Sequence, residues 1–382
     1  MPDFSAWRDE FPVVNERTYL ISASLGPLSR RSRALAEEHL DLWQRLGPDE
    51  LWFEHGIPKL DECRSLFAGL VGADADEIAV VPSVSSGMSS IATCLDFNVR
   101  PKVVTTQMDF PTNHYVWRAQ ERRGAKIDVV PTSDGIHVET EDILAAIDEQ
   151  TLVVNLNRVL FESSQLLDAA AIVDQAHSVG AFVVIDDFHG TGIVPIDVHE
   201  LGVDFLLTGA LKWLCGGQGI SFLYCRRGLF EQVQPLVVGW FGTVDPFDFD
   251  RSGLNLRADA RRFETGTYPL PQAFTASGGL SIITEVGVDA IRERSKELTS
   301  RLVELVDEGG IELLSPRDAD RRGGLVRVRV PGGRSEADRV LHELVARDVV
   351  LDSRGDALRI SPHFFNDESD LERCVAELKA VL

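Results

Sequence analysis

Two residues of strong chemical character stand at the ends of apolar runs in the middle of the chain. Lys212 lies in Thr208-Gly-Ala-Leu-Lys-Trp-Leu-Cys-Gly-Gly-Gln-Gly219, among apolar residues and glycine. Such surroundings disfavour the ammonium form and lower an amine's pKa. A lysine so placed is a nucleophile that can condense with a carbonyl group to a Schiff base. In isolation the same lysine is equally a solvated charge at a strand end. Asp186 lies in Phe182-Val-Val-Ile-Asp-Asp-Phe-His189. A carboxylate at the end of a buried strand is costly unless it is paired. The protonated nitrogen of a pyridine ring is a suitable partner, because the carboxylate keeps that ring an electron sink. A helix N-cap or a metal ligand are the other readings. Asp187 points to the opposite side of the strand and ranks second for the role. His189 is placed to meet the ring's face or its phenolic oxygen, or is a structural histidine.

Three further segments carry candidates. Pro82-Ser-Val-Ser-Ser-Gly-Met-Ser-Ser90 follows an apolar run and opens a helical pattern, with Ser86 and Gly87 in its middle. Small residues at a helix start let backbone N–H groups approach a phosphate, and the helix dipole favours its charge. A plain serine N-cap has the same pattern. In Asp109-Phe-Pro-Thr-Asn-His-Tyr115, Phe110 could stack on a flat heteroaromatic ring or be an ordinary core residue. In Leu358-Arg-Ile-Ser-Pro-His-Phe-Phe-Asn366, Arg359 could clamp a substrate carboxylate with two parallel hydrogen bonds, or lie on the surface.

Seven apolar runs must position these residues: Ile78–Ser83, Val103–Gln107, Lys126–Pro131, Thr151–Asn157, Phe182–Asp187, Phe205–Ala210 and Ile220–Cys225. Most are continuous and β-branched, as strands buried on both faces are, and helical stretches such as Asp168–Val179 separate several of them. The pattern predicts an α/β layered domain with a mostly parallel sheet, whose ligands sit at the carboxyl ends of the strands. The unusual residues fall there. After about residue 270 the pattern changes. One long helix is expected over Ala273–Asp307, strands at Ile311–Leu314, Leu325–Val330, Val349–Asp352 and Ala357–Ile360, and helices at Glu336–Arg347 and Asp367–Leu382. We therefore expect a large domain over 15–270 and a small α+β domain over 271–382, with residues 1–14 packed on the latter.

A formal net charge of −22 argues against nucleic acid or an anionic membrane as a partner, though not against an anionic cofactor. The start, MPDFSAWRDEFPVV, lacks a basic region before an apolar run, and no stretch approaches the ~18 apolar residues of a membrane span. Cys63, Cys94, Cys215, Cys225 and Cys374 are scattered, without CxxC or HExxH, which fits a reducing cytoplasm and suggests neither disulfides nor a metal.

These elements, in this order, resemble the pyridoxal-phosphate (PLP) enzymes of the aminotransferase class-V family, within fold type I. The likeness runs from Tyr19-Leu-Ile-Ser-Ala-Ser-Leu-Gly-Pro27 to the terminal helix. Asp186-x-x-His189, Phe110-Pro-Thr and Gly239-Trp-Phe-Gly242 resemble segments of the kynureninase-like branch, and Arg262-Phe-Glu-Thr-Gly-Thr267 a class-wide segment that reaches the neighbouring subunit's cofactor phosphate. The resemblance implies the PLP-transferase fold, with a seven-stranded, mainly parallel sheet and helices on both faces. It implies that PLP is bound to Lys212 as a Schiff base, that Asp186 pairs with the ring nitrogen, that His189 lies near the ring and that Phe110 stacks on it. Ser86 and Gly87 would contact the phosphate, as would Trp240 and Thr267 across a homodimer interface, and Arg359 would bind the substrate carboxylate. The implied activity passes through an external aldimine and a Cα carbanion of an amino acid. A kynureninase-like lyase or hydrolase acting at the β-position comes first, a class V aminotransferase or an epimerase second, and a non-catalytic PLP-fold binding protein last.

The departures bear on that ranking. Kynureninase has a tyrosine where this chain has Leu211, and a histidine where it has Thr243. Where the class often has Ser-Gly-His before the lysine, this chain has Gly209-Ala-Leu211. The segment Asp352-Ser-Arg-Gly-Asp-Ala-Leu358 lacks the mobile cysteine of the cysteine desulfurases, which argues against a persulfide mechanism. Cys215, in a glycine-rich turn, reads as structural.

Overall fold

The computed structural model describes residues 3–382; Met1 and Pro2, part of the expected N-terminal packing segment, lie outside the described residues. Its strands are β1 (Thr18–Tyr19), β2 (Ile78–Val81), β3 (Lys102–Thr106), β4 (Lys126–Val130), β5 (Thr151–Asn157), β6 (Phe182–Asp186), β7 (Phe205–Gly209), β8 (Ser221–Cys225), β9 (Val326–Arg329), β10 (Val349–Val350), β11 (Asp352–Arg354) and β12 (Ala357–Ile360). Strands β2 to β8 form one seven-stranded sheet in the order β2-β8-β7-β6-β5-β3-β4. Only β8 runs against its neighbours, so the carboxyl ends of the other six strands share one edge. This is the mainly parallel α/β sheet expected from the apolar runs.

The runs read as strands because alternate side chains go to opposite faces and both faces are covered. Val183 and Ile185 of β6 join the core under helices Ile57–Val71, Ala169–Ser178 and Leu270–Val286. Val184 joins the opposite core, under helices Val84–Thr93 and Pro111–Ala119.

The C-terminal part differs from its expected outline in three places. The helical pattern from Ala273 to Asp307 is broken into Leu270–Val286 and Val288–Glu308 at Gly287, whose φ of +86° suits only glycine. The first of these helices packs on Arg30–Arg45 and Ile57–Val71, against the large sheet. Ile311–Leu314 is not a strand; it makes a single bridge, Leu313 to Val328, because the chain only crosses β9 there. The stretch Val349–Asp352 splits, β10 pairing with β1 and β11 with β12. Strands β11-β12-β9 form a three-stranded sheet. Helices Val288–Glu308, Arg334–Ala346 and Glu368–Val381 cover it around a separate core that includes Leu302, Val328, Leu344 and Leu371. We propose these elements as the small domain. Near the N-terminus, Arg8 bonds Asp370 at 2.7 Å and Phe11 lies 4.4 Å from Phe365, ring centre to ring centre.

Candidate active site

The carboxyl edge of the sheet holds the candidate residues because several strands end there. β6 ends at Asp186, β5 at Asn157, β3 just before Asp109 and Phe110, and β7 just before Lys212. Asp109 ties two of these ends together. Its carboxylate accepts from Thr105 Oγ1 at 2.6 Å, the Thr106 N–H at 2.7 Å and the Asn157 N–H at 2.7 Å. Asn157 in turn accepts from the Phe110 N–H at 2.6 Å and donates to the Asp186 carbonyl at 3.2 Å. The Phe110 ring and the Asp186 carboxylate are thus set by one hydrogen-bonded frame.

A cavity of about 180 Å³ opens at this edge, lined among others by Ser83, Val84, Ser85, Phe110, Asp186 and Leu211. The Lys212 Nζ lies 5.7 Å from the centre of the Phe110 ring and 4.1 Å from that of Phe188, and 2.7 Å from His189 Nε2. Burial pushes the Lys212 amine well below its ordinary pKa; Asp186 opposes this, and Arg359 and Arg354 add to it. Burial pushes the Asp186 carboxyl up, and the charge on Lys212 pulls it back. Asp186 is 2 % exposed and accepts a backbone N–H from Phe188 at 3.1 Å. His189 is held neutral, first by burial and then by the cations around it. Its Nδ1 is buried without a hydrogen-bond partner among the described residues.

Asp187 does not share the site. Arg158 grips it with Nε at 2.8 Å and Nη2 at 2.9 Å, and Thr191 Oγ1 donates to it at 2.7 Å. That buried pair separates the two adjacent aspartates in an experiment. Asp187→Ala leaves Arg158 buried without its counterion, which should cost about 3–5 kcal/mol of stability in urea denaturation. The visible spectrum of the folded, cofactor-loaded protein should stay unchanged.

The helix start is built differently from its sequence reading. Ser83 caps helix Val84–Thr93: its Oγ accepts the Ser86 N–H, and the Ser86 hydroxyl turns back to Ser83. Gly87 lies beneath the helix, where an added Cβ would meet Leu207, Val81 and Leu223. Neither Ser86 nor Gly87 lines the cavity; Val84 and Ser85 do, and the capping leaves their N–H groups without partners among the described residues. Ser85 Oγ sits 3.0 Å from Thr112 Oγ1, also at the cavity wall. The register of the cap, one turn before the glycine, is the signal that identifies these donors.

Arg359 is 2 % exposed and already engaged. Nε and Nη2 bond Asp352 at 2.8 and 2.5 Å, Nη2 also donates to Ser24 Oγ at 2.7 Å, and Nη1 to the Phe161 carbonyl at 2.6 Å. Phe161 connects it to the ring site, standing edge-on to Phe110 at 5.2 Å. Trp240 and Thr267 lie outside the cavity of their own chain. Trp240 packs among Trp52, Phe241 and Phe249, and Thr267 lines a separate recess with Trp52 and Ile57. Thr243 Oγ1 donates to the Trp240 carbonyl at 2.7 Å. Cys215 is buried, with a φ of +49° in the turn after Lys212. Away from the cavity, Asp74, Glu77 and His199 lie together, with Glu77 hydrogen-bonded to His199 Nε2 and to the Arg227 backbone N–H, and Asp74 paired with the Arg227 guanidinium.

The residues fit PLP. A carboxylate buried at a strand end, a depressed amine beside it, an aromatic face and two free helix N–H groups match, in turn, a pyridinium nitrogen, an aldehyde, a flat ring and a phosphate. The buried Nδ1 of His189 adds a donor, since the Nε2 atom that faces Lys212 is the one left to accept.

The aminotransferase class-V family matches residues 54–370. The chain is 31% identical to an uncharacterized aminotransferase, YcbU, of Bacillus subtilis (strain 168), over 98% of this chain and 97% of the relative. It is 30% identical to a kynureninase of Geobacillus thermodenitrificans (strain NG80-2), over 93% of this chain and 86% of the relative. Among solved structures, a variant of C-DES with glycine covalently linked to its PLP cofactor superposes with a TM-score of 0.89, at 19% identity and 99% coverage of each chain. The chain belongs to the aminotransferase class-V family.

Proposed function

We propose that this protein is a PLP enzyme that binds an amino acid and breaks a bond at its β-position, as a kynureninase-like lyase or hydrolase. The observation that carries the reading is that Asp186, Phe110 and Phe188 line one cavity at the carboxyl edge of the sheet, with the Lys212 amine 4.1 Å from the Phe188 ring centre and 5.7 Å from that of Phe110. When bound, PLP supplies an aldehyde for the amine and a ring that withdraws electrons from the substrate's Cα.

The chain's own residues do the rest. Asp186 keeps a proton on the ring nitrogen, and burial makes that charge pair strong. Phe110 fixes the plane of the ring. Val84 and Ser85 hold the phosphate through their N–H groups, with Ser85 and Thr112 hydroxyls beside them. The depressed amine of Lys212 is nucleophilic near neutral pH, and as a free amine it would take the proton from the substrate's Cα. His189 accepts from Lys212 at Nε2 and steadies that proton. Arg359 receives the substrate carboxylate.

We further propose a homodimer. The cavity of one protomer is smaller than the ~300–1,000 Å³ of sites that enclose a ligand. Trp240 and Thr267 sit outside it, on a surface where Leu236, Val244, Phe249 and Leu254 are exposed. A partner's Trp240 and Thr267 would complete the phosphate side. The five free cysteines suit a reducing cytoplasm, and no described helix is long and apolar enough to cross a membrane.

Product analysis tests the reaction. The holoenzyme is incubated with L-kynurenine and with a panel of amino acids, with and without a keto acid. Bond cleavage at the β-position yields anthranilate from kynurenine, or pyruvate and ammonia from a β-substituted amino acid, without any keto acid. The likeness to YcbU supports a second reading, transamination, in which turnover stops unless a keto acid is supplied.

A further inference from the structure

The contacts of Arg359 raise a problem for its role. A guanidinium has five N–H groups, and a two-point grip on a carboxylate needs two of them side by side. Asp352 takes the Nε–Nη2 edge, Ser24 the second Nη2 hydrogen and Phe161 one of the two on Nη1. One N–H is left, so no second carboxylate can be gripped while Asp352 stays. Asp352 is not locked there by the core. It lies in the three-residue edge strand β11, its side chain is 13 % exposed, and the Arg354 Nη2 is already 3.3 Å from the same oxygen. Arg354 itself is 41 % exposed, with Nη1 tied to the adjacent Ser353 carbonyl at 2.6 Å.

We infer that Asp352 is an internal stand-in for the substrate carboxylate: it occupies Arg359 in the resting site and passes to Arg354 when an amino acid binds. This rests on the reading of Arg359 as the carboxylate-binding residue. The exchange trades one buried ion pair for another, so neither Arg359 nor Asp352 is left uncompensated, which would be the costly state. It also makes Asp352 a specificity residue. A ligand gains Arg359 only if it brings an anion able to compete with a resident carboxylate. An amine without a carboxylate leaves the resting pair intact.

Titration of the holoenzyme with L-alanine and with ethylamine, which differ only by the carboxylate, tests this through the change in the visible absorbance of the cofactor. Asp352→Asn removes the competitor's charge and should tighten L-alanine about tenfold, or ~1.4 kcal/mol, while ethylamine stays within about twofold of the wild type. Ser24→Ala, which removes the hydroxyl that donates to Asp352 without altering any charge, should shift alanine the same way by a smaller factor. Alanine binding that is unchanged or weaker in both variants overturns the inference and makes the pair a fixed structural one. Arg359→Gln separates this from the underlying reading. If it leaves alanine no tighter than ethylamine, Arg359 reads the carboxylate whatever Asp352 does. If it leaves alanine as in the wild type, that role of Arg359 fails, and the inference with it.

Discussion

Lys212→Ala holoenzyme should lose turnover by at least the ~10²–10⁴-fold that a positioned acid–base group supplies. Added PLP should then stay dialysable instead of covalently held. The effect is expected to be larger than for any other single substitution, because one amine both anchors the cofactor and moves the substrate proton. The fold should survive, since among the described residues Lys212 makes no salt bridge, and its Nζ hydrogen-bonds His189 and lies over two aromatic rings. Circular dichroism and urea midpoints near those of the wild type would confirm that the loss is chemical. External methylamine, offered to the variant with its substrate, should restore part of the proton transfer.

Asp186→Asn should cost about 10²–10³-fold in turnover, the range seen when one preorganised electrostatic partner is removed from a reacting site. It should also shift the pH at which the apoprotein captures PLP. In the wild type, burial holds the Lys212 amine below its ordinary pKa and Asp186 partly restores it. Capture requires the neutral amine, so its rate should level off well below the ~10.4 of a free lysine. Without the Asp186 charge the protonated amine loses its support, and the midpoint should move lower still. A midpoint that rises in Asp186→Asn would mean that this carboxylate does not face the amine.

The strands were readable because a parallel sheet needs continuous β-branched runs, and Thr151–Asn157 or Phe182–Asp186 can be little else. Lys212 and Asp186 stood out because a charge at the end of such a run has to be explained. Asn157 ends its run in the same manner, and its hydrogen bonds to Phe110 and Asp186 place it in the site's frame. The break at Gly287 is not legible in the sequence, because apolar spacing continues on both sides of it and nothing local separates a tolerated helical glycine from a break. The partner of Arg359 was within reach. Gly355-Asp356 is a two-residue hairpin signal, and pairing outward from it sets Asp352 opposite Arg359. What no reading of one chain supplies is the position of Trp240 and Thr267 relative to a cofactor, because that depends on how two copies meet.

The most direct test is to reduce the purified holoenzyme with borohydride, digest it and locate the phosphopyridoxyl group by mass spectrometry. The label should be found on Lys212, in the peptide that runs through Trp213 and Cys215. A label spread over Lys59, Lys102, Lys126, Lys296 or Lys379, or one absent from Lys212 in protein that still turns over, would contradict the assignment on which the mechanism stands.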